Sequence, residues 1–354
     1  MTRRIPTVVL GGTGYVAGEV LRLIAGHPHF ELAGILSESQ PGDPVANAFR
    51  HLAPAYPHER FKSLSQIEAI VAAAPDAAIF SAAPHGAAAA LIDRLLSAAE
   101  AAGRAPHVVD ISADFRYPSA AKYEEVYKNP HGAPGRIAAF SCAVPEHLAH
   151  APTPHVAHPG CFATAVLLAA VPLLASGLCS RELFVTGVTG STGSGRKPVE
   201  GTHHPARHGD LYAYANALGH RHTPEIRALA AAATGAEPAI AFVPHSGPYA
   251  RGIHVTVQAT LYAPQDGAKL LDMLREFYAG APFVRIGESP PRVKEVASSN
   301  YAFLSAASDG RTVAIFCALD NLNKGAAGGA MQWMNRLYDL PETAGLTAPA
   351  PGWT

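Results

Sequence analysis

The sequence predicts an α/β protein in which a doubly wound parallel sheet is followed by an α+β domain with a mixed or antiparallel sheet. Three observations lead to this fold class. Short apolar strands alternate with helices in residues 7–111, which is typical of a parallel sheet. After about residue 180, longer β-rich runs are separated by polar loops. The length of 354 residues indicates two domains at about 150 residues each.

The individual elements follow from apolar periodicity and turn residues. In the first half, we predict strands at 7–10, 30–36, 77–82 and 107–111, and helices at 17–25 and 87–101. In the second half, we predict strands at 182–187, 239–243, 252–261 and 312–318. Polar loops, rather than regular helices, are expected between these later strands. A helix is predicted at 326–338.

Composition excludes several classes of function. Hydrophobic residues make up 48% and charged residues 16% of the chain, against about 25% charged in an average protein, so global disorder is excluded. The formal net charge of −1 argues against nucleic acid as a partner, because nucleic acid requires a basic surface. The 18 histidines include no His-Glu-x-x-His motif, so no metal is expected.

The cysteines and the longest apolar stretch bear on location. Four cysteines without a Cys-x-x-Cys pair favour a reducing compartment, and a cytoplasmic location is expected. The apolar run at 8–10 is too short for a signal peptide. Residues 161–180 carry no charge and approach membrane-spanning length, but Pro172 and Gly177 interrupt them. We therefore predict a buried core helix there and no membrane partner.

Residues 11–18 (GGTGYVAG) follow the first strand and open the first helix. In this position, glycines let the backbone approach a pyrophosphate, which helix N–H groups then bind. We predict dinucleotide binding, with a purely structural turn as the alternative. At the end of the second strand, Ser37 can bind a 2′-phosphate, whereas Glu38 would repel one if it pointed inward. The sequence therefore leaves NADP and NAD both open.

Cys161 stands in HPGCFAT (158–164), at or near the start of the uncharged helix. A helix N-terminus stabilises a thiolate and offers N–H groups to an oxyanion, so Cys161 is a candidate nucleophile. The alternative is a small buried apolar residue, which is how we interpret Cys179 and Cys317.

A second cluster of reactive side chains is His220-Arg221-His222, with Glu225 three residues further on. A histidine can act as acid/base partner of a thiolate, an arginine can bind an anionic substrate, and a glutamate can orient an imidazole. The alternative is an exposed polar turn.

These motifs together resemble the N-acetyl-γ-glutamyl-phosphate reductase family, along nearly the whole chain. The resemblance is carried by GGTGYVAGE (11–19), PHG (84–86), DISADFR (110–116), PE (145–146), HPGCFAT (158–164), TGSGRK (192–197), GHRHTPEI (219–226), FVPH (242–245), RG (251–252) and DNLNKGAAG (320–328). Each motif is weak alone, but this order and spacing are specific.

The resemblance implies NADPH-dependent reduction of an acyl phosphate to an aldehyde through a cysteine thioester, in arginine biosynthesis. It implies NADP as cofactor, with NAD not excluded, and a homotetramer or homodimer. The implied fold is that of glyceraldehyde-phosphate and aspartate-semialdehyde dehydrogenases. Residues 1–157 would form an NADP-binding Rossmann domain, joined by the C-terminal helix at about 324–354, and 158–323 a catalytic and dimerisation domain.

The resemblance also implies roles for individual residues. The nucleophile falls on Cys161, and the acid/base histidine is His220 or His222, supported by Glu225. The cofactor-binding candidates are Gly11, Thr13, Gly14, Tyr15, Val16, Ser37, Pro84, Gly195 and Asn321. The substrate-binding candidates are Arg116, Arg196, Arg251 and His158, because guanidinium groups suit planar anions.

The sequence departs from the family at a few positions. His158 stands where the family usually has Asn, and Phe162 where it has Tyr. Residues 198–210 (PVEGTHHPARHGD) look like the lysine-biosynthesis relative, which reduces an aminoadipyl phosphate held on an acidic carrier protein. The same chemistry on that substrate, with Arg196, Lys197 and Arg207 meeting the carrier, is therefore the near alternative.

Two more distant functions can be separated by experiment. A non-catalytic dinucleotide sensor would need the glycine turn but not Cys161. A cysteine hydrolase using Cys161 with His220 or His222 would need no nicotinamide cofactor.

Overall fold

A computed structural model describes residues 4–215 and 220–353. Two compact units divide the chain. The first, called unit 1, comprises Met1–His158 and Ala326–Thr347, and the second, unit 2, comprises Pro159–Gly325 and Ala348–Thr354.

Strands and helices alternate in the first half and are less regular in the second. The strands are β1 (Ile5–Leu10), β2 (Phe30–Ile35), β3 (Ala78–Ser81), β4 (His107–Asp110), β5 (Phe140–Cys142), β6 (His155–Ala157), β7 (Glu182–Thr189), β8 (Tyr212–Ala213), β9 (Ala239–Ser246), β10 (Ile253–Thr260), β11 (Val284–Ile286), β12 (Ala302–Ser308) and β13 (Thr312–Leu319). The helices are α1 (Tyr15–Ala25), α2 (Val45–Ala48), α3 (Leu64–Ala73), α4 (Ala88–Ala101), α5 (Ala120–Tyr127), α6 (Cys161–Ala175), α7 (His204–Arg207), α8 (Thr223–Thr234), α9 (Gly267–Phe277) and α10 (Gly328–Leu337).

Unit 1 contains a parallel sheet in the order β2-β1-β3-β4-β6-β5. Every residue of β3 is buried, as expected when helices cover both faces of a parallel sheet. The order reverses next to β1, so the loops after β1 and β3 lie at a topological switch point, where ligands bind in such folds. The predicted doubly wound sheet is confirmed.

Unit 2 contains a mixed sheet in the order β11-β12-β13-β10-β7-β9-β8. The pairs β7–β9 and β11–β12 are parallel, and the remaining pairs are antiparallel. The predicted mixed sheet is therefore confirmed, but the expectation of loops alone between its strands is wrong, because α8 and α9 are regular helices. Five of the twelve residues of α8 are alanine. Alanine does not by itself mark a buried face, so the 3.6-residue apolar period that predicts a helix is weak in this segment.

Helix α6 packs against the sheet of unit 2, and residues 162–174 are all buried. The uncharged stretch is therefore a core helix, as predicted, although it ends at Ala175. Within residues 4–215 and 220–353, no helix has the length and apolarity to cross a membrane.

Candidate active site

The N-terminus of α6 opens into a cavity of about 400 Å³ in unit 2. Cys161 is the first residue of the helix and is partly exposed, and the extended Gly160 precedes it without a side-chain cap. His220, Arg221 and His222 line the same cavity. The structure thus brings together the cysteine and the histidine pair that the sequence singled out separately.

A glycine lets another segment approach Cys161 closely. A Cβ atom at Gly325 would lie 2.8 Å from the Cβ of Cys161, closer than real Cβ contacts allow. Gly325 stands in the DNLNKGAAG motif and within a short π-helical turn, Asn323–Ala327. Its lack of a side chain therefore keeps the surroundings of the thiol open.

His220 is held by hydrogen bonds through both ring nitrogens. Its Nδ1 accepts the backbone N–H of His222 at 3.2 Å, and its Nε2 lies 3.1 Å from the hydroxyl of Tyr214. Burial, and to a smaller extent the charge of Arg221, lower the pKa of His220 to about 4. His220 is therefore neutral at neutral pH.

His222 and Glu225 lie at the start of α8. The ring of His222 is perpendicular to that of His220, with centroids 4.8 Å apart. Glu225 is 1% exposed, and its Oε1 accepts the backbone N–H of Gly160 at 2.7 Å. Glu225 thus holds the residue that precedes α6, and its orientation of an imidazole stays a prediction.

The glycine turn in unit 1 lies directly against the loop that follows β3. Gly11 has φ +80, and a Cβ there would lie 2.3 Å from the carbonyl oxygen of Ala82, so only glycine fits this position. The extended Gly14 precedes α1 without a side-chain cap, so the first N–H groups of this helix remain available to an anion. Thr13 and Val16 are partly buried and Tyr15 is exposed. These residues fit a dinucleotide pyrophosphate.

The other cofactor candidates of unit 1 lie on loops that follow strands. Ser37 is buried after β2, with its Oγ 3.4 Å from that of Ser39, and Glu38 is exposed. Pro84 is exposed in the loop after β3. Their contact with a cofactor stays a prediction.

Two substrate candidates, Arg116 and His158, are buried in unit 1. Arg116 donates from Nε to the carbonyl of His158 at 2.9 Å and from Nη2 to the carbonyl of Ile111 at 2.8 Å. The side chain of His158 has no exposed surface, so a ligand would reach it only after its neighbours move. Substrate binding by either residue stays a prediction.

The remaining candidates lie in unit 2 with different surroundings. Arg251 forms a two-bond ion pair with the buried Asp320, at 2.9 and 3.0 Å. Asn321 accepts the backbone N–H of Gly252 at 2.6 Å and donates to Thr192 Oγ1 at 3.0 Å, so it ties two loops together. Arg196 and Gly195 are exposed, and Gly195 has φ +83.

Sequence reasoning missed Tyr214, which lines the cavity beside Cys161. Its one signal was a pair of tyrosines in LYAYA (211–215), five residues or more before the first histidine of the pair. Gly219, in the predicted motif GHRHTPEI, lies outside the described residues. Among the residues that the structure describes, no group of three or more His, Cys, Asp or Glu side chains is arranged to hold a metal ion.

Comparisons with known proteins agree with this architecture. Residues 7–160 match the model of the semialdehyde dehydrogenase NAD binding domain, and residues 161–321 that of the semialdehyde dehydrogenase dimerisation domain. Among curated proteins, the N-acetyl-gamma-glutamyl-phosphate reductase of Symbiobacterium thermophilum is 38% identical, over 97% of each chain. That of Marinobacter nauticus is 37% identical, over 97% of this chain and 98% of the relative.

Solved structures share the fold. Aspartate semialdehyde dehydrogenase II of Vibrio cholerae, complexed with ASA, has a TM-score of 0.68 and 16% identity, over 96% of this chain and 99% of the other. Aspartate semialdehyde dehydrogenase of Candida albicans, with NADP, has a TM-score of 0.63 and 14% identity, over 95% and 98%.

Proposed function

Because this chain belongs to the N-acetyl-gamma-glutamyl-phosphate reductase family, we propose that it reduces N-acetyl-γ-glutamyl phosphate to N-acetylglutamate semialdehyde and phosphate, with NADPH, in arginine biosynthesis. The observation that carries the proposal is the cavity in which Cys161, at a helix N-terminus, meets His220 and His222. In this proposal, unit 1 binds NADP, and unit 2 is catalytic and forms the dimer.

Cys161 begins the reaction as a thiolate. The first N–H groups of α6 favour its negative charge and face the oxygen of a carbonyl under attack. The thiolate displaces phosphate from the acyl carbon and forms a thioester. After reduction, the carbon–sulfur bond breaks and the aldehyde leaves.

The glycine turn supports the cofactor assignment. The available N–H groups of α1 would hold the pyrophosphate, and Gly11 lets the turn before α1 pack against the loop after β3. When bound, NADPH supplies the hydride that reduces the acyl carbon. Ser37 and Ser39 offer hydroxyl groups to a 2′-phosphate, while the exposed Glu38 leaves NAD as an alternative.

The two histidines differ in what they can do. Because His220 is neutral and its Nδ1 is occupied, it is a hydrogen-bond donor rather than a base at neutral pH. We therefore assign proton exchange with Cys161 to His222. Arg221 brings a permanent positive charge to the cavity wall and is suited to an anionic group of the substrate.

The sheet of unit 2 supports self-association. Alternate residues of β7 face away from the core, and Phe184 among them is 56% exposed. Phe316 and Thr256 are register partners on β13 and β10, and Thr256 pairs in turn with Thr186 of β7. The exposed Phe184 and the half-buried Phe316 on one sheet face favour a protein partner, and we propose a homodimer or homotetramer.

A carrier-bound aminoadipyl phosphate is the second candidate substrate. Arg196 and Lys197 are both exposed directly before residues 198–210, and two neighbouring cations suit an acidic carrier protein. The expectation that Arg207 meets the carrier is wrong, because Arg207 is buried and donates to the Gly247 carbonyl.

The four cysteines, all within the described residues, form no disulfide with one another, which supports the proposed cytoplasmic location.

The decisive experiment runs the reaction in reverse. We expect the protein to reduce NADP when N-acetylglutamate semialdehyde and phosphate are both present, and we expect little reduction without phosphate. Aminoadipate semialdehyde, free and carrier-bound, and NAD serve as comparison substrates. Turnover with an aminoadipate semialdehyde alone would contradict the proposed substrate, and failure to bind either nicotinamide cofactor would contradict the reaction class.

A further inference from the structure

The hydroxyl group of Tyr214 lies in the cavity wall and has no part in the steps above. We propose that Tyr214 donates a hydrogen bond to the oxyanion that forms when Cys161 attacks an acyl carbon, and that His220 is the positioning residue that directs this hydroxyl group. The proposal rests on the proposed function only in taking Cys161 as the nucleophile. The proposed role of Tyr214 does not depend on which acyl chain the substrate carries.

The hydrogen bonds of His220 determine where its proton lies. The backbone N–H of His222 donates to Nδ1 at 3.2 Å, so Nδ1 carries no proton. Since a neutral imidazole has one N–H, that proton is on Nε2. The neutral form persists at neutral pH, because burial lowers the pKa of His220 to about 4.

The direction of the Tyr214 hydroxyl follows from this tautomer. Nε2 of His220 lies 3.1 Å from the Tyr214 oxygen, and because Nε2 is the donor, the oxygen accepts. The phenolic proton must then point away from His220. Within residues 4–215 and 220–353, no acceptor for that proton is found. The phenolic O–H of Tyr214 can therefore donate a hydrogen bond to a group inside the cavity.

The surroundings place this donor near the thiol and keep it rigid. Tyr214 and Cys161 line the same cavity, and burial together with the charge of Cys161 raises the pKa of Tyr214, so the phenol stays protonated. Phe162 and Phe242 contact His220 edge to face, with ring centroids 6.0 and 5.2 Å away. The imidazole thus holds a fixed position from which it orients the hydroxyl group.

The step needs no extra reactant. When Sγ of Cys161 bonds to the acyl carbon, the π electrons of the carbonyl move to its oxygen, which becomes the oxyanion. On collapse, this electron pair re-forms the C=O bond and the leaving group departs with its own bonding pair. The Tyr214 proton stays on Tyr214 throughout and stabilises the charge by a preorganised hydrogen bond.

Two reagents that both react with a cysteine thiolate separate this role from a general effect. Acylation by p-nitrophenyl acetate passes through an oxyanion, whereas alkylation by iodoacetamide forms none. We expect Tyr214→Phe to slow acylation of Cys161 by about 10- to 100-fold, in the range of a lost oxyanion donor, and to change alkylation less than about 2-fold. Both rates are measured on the full-length protein, after subtraction of the Cys161→Ser background.

Tyr249→Phe is the matched control, because the hydroxyl of Tyr249 already donates to the Val188 carbonyl at 3.0 Å. This substitution should leave both rates unchanged. Equal slowing of the two reactions in Tyr214→Phe, or no slowing of acylation, overturns the proposal. So does a wild-type Cys161 that reacts with neither reagent. Normal acylation combined with no turnover of N-acetylglutamate semialdehyde would refute the proposed substrate and leave the role of Tyr214 standing.

Discussion

The start of α1 in unit 1 and the start of α6 in unit 2 are built alike and surrounded differently. Each helix follows an extended glycine, Gly14 or Gly160, that provides no side-chain cap. The N–H of Gly14 donates to a backbone carbonyl, that of Gly11, at 3.2 Å. The N–H of Gly160 donates instead to the buried carboxylate of Glu225 at 2.7 Å.

This difference matches the charge that each helix is proposed to receive. At α1 the anion comes with a ligand, so a turn without a carboxylate, open to the surface, suits repeated binding and release. At α6 the anion is the thiolate of Cys161, which belongs to the protein. A nearby carboxylate there raises the energy of the thiolate while fixing the backbone beneath it. The two helix starts can therefore be tested independently.

Replacing the nucleophile should have the largest effect. Cys161→Ser is expected to lower kcat at least about 10³-fold, because a hydroxyl in this position lacks the acidity of a thiol. NADPH affinity should change less than about 2-fold, since α1 is untouched; fluorescence titration measures it. Cys142→Ser, in unit 1, is the control and should keep full activity. An active Cys161→Ser enzyme would mean that α6 does not present the nucleophile.

A substitution in the glycine turn before α1 should weaken NADPH binding and leave the reactivity of Cys161 unchanged. In Gly11→Ala, the φ of +80 and a contact of 2.3 Å between the new Cβ and the Ala82 carbonyl force the turn to shift, at a cost of about 1–3 kcal/mol. We expect NADPH affinity to fall at least about 10-fold, while iodoacetamide alkylates Cys161 at the wild-type rate. Gly26→Ala, at the other end of α1, meets no atom within 4 Å and should bind normally. Unchanged affinity in Gly11→Ala would remove the glycine turn from the cofactor site.

Local patterns explain what the sequence could predict about these two helix starts. The order β1-α1-β2, the glycine turn and the position of Cys161 at the start of α6 depend on neighbouring residues, and all are confirmed. The bond from Gly160 to Glu225 joins residues 65 positions apart, and no periodicity encodes it. The same holds for the ion pair of Arg251 with Asp320, which joins residues 69 positions apart; substrate binding by Arg251 stays a prediction.

Glu225 offers the finest test, because Gln keeps the shape of the side chain and removes only its charge. The amide oxygen in Glu225→Gln can still accept the Gly160 N–H, so α6 should remain capped. Without the negative charge the Cys161 thiolate forms more readily, and the pH midpoint of iodoacetamide alkylation should move down by a few tenths of a unit. In Glu225→Ala the buried N–H loses this acceptor, and the free energy of unfolding should fall by about 1–3 kcal/mol. If the pH midpoint of alkylation is unchanged or higher in Glu225→Gln, Glu225 acts on Cys161 through structure alone. The two helix starts would then differ in geometry rather than in charge.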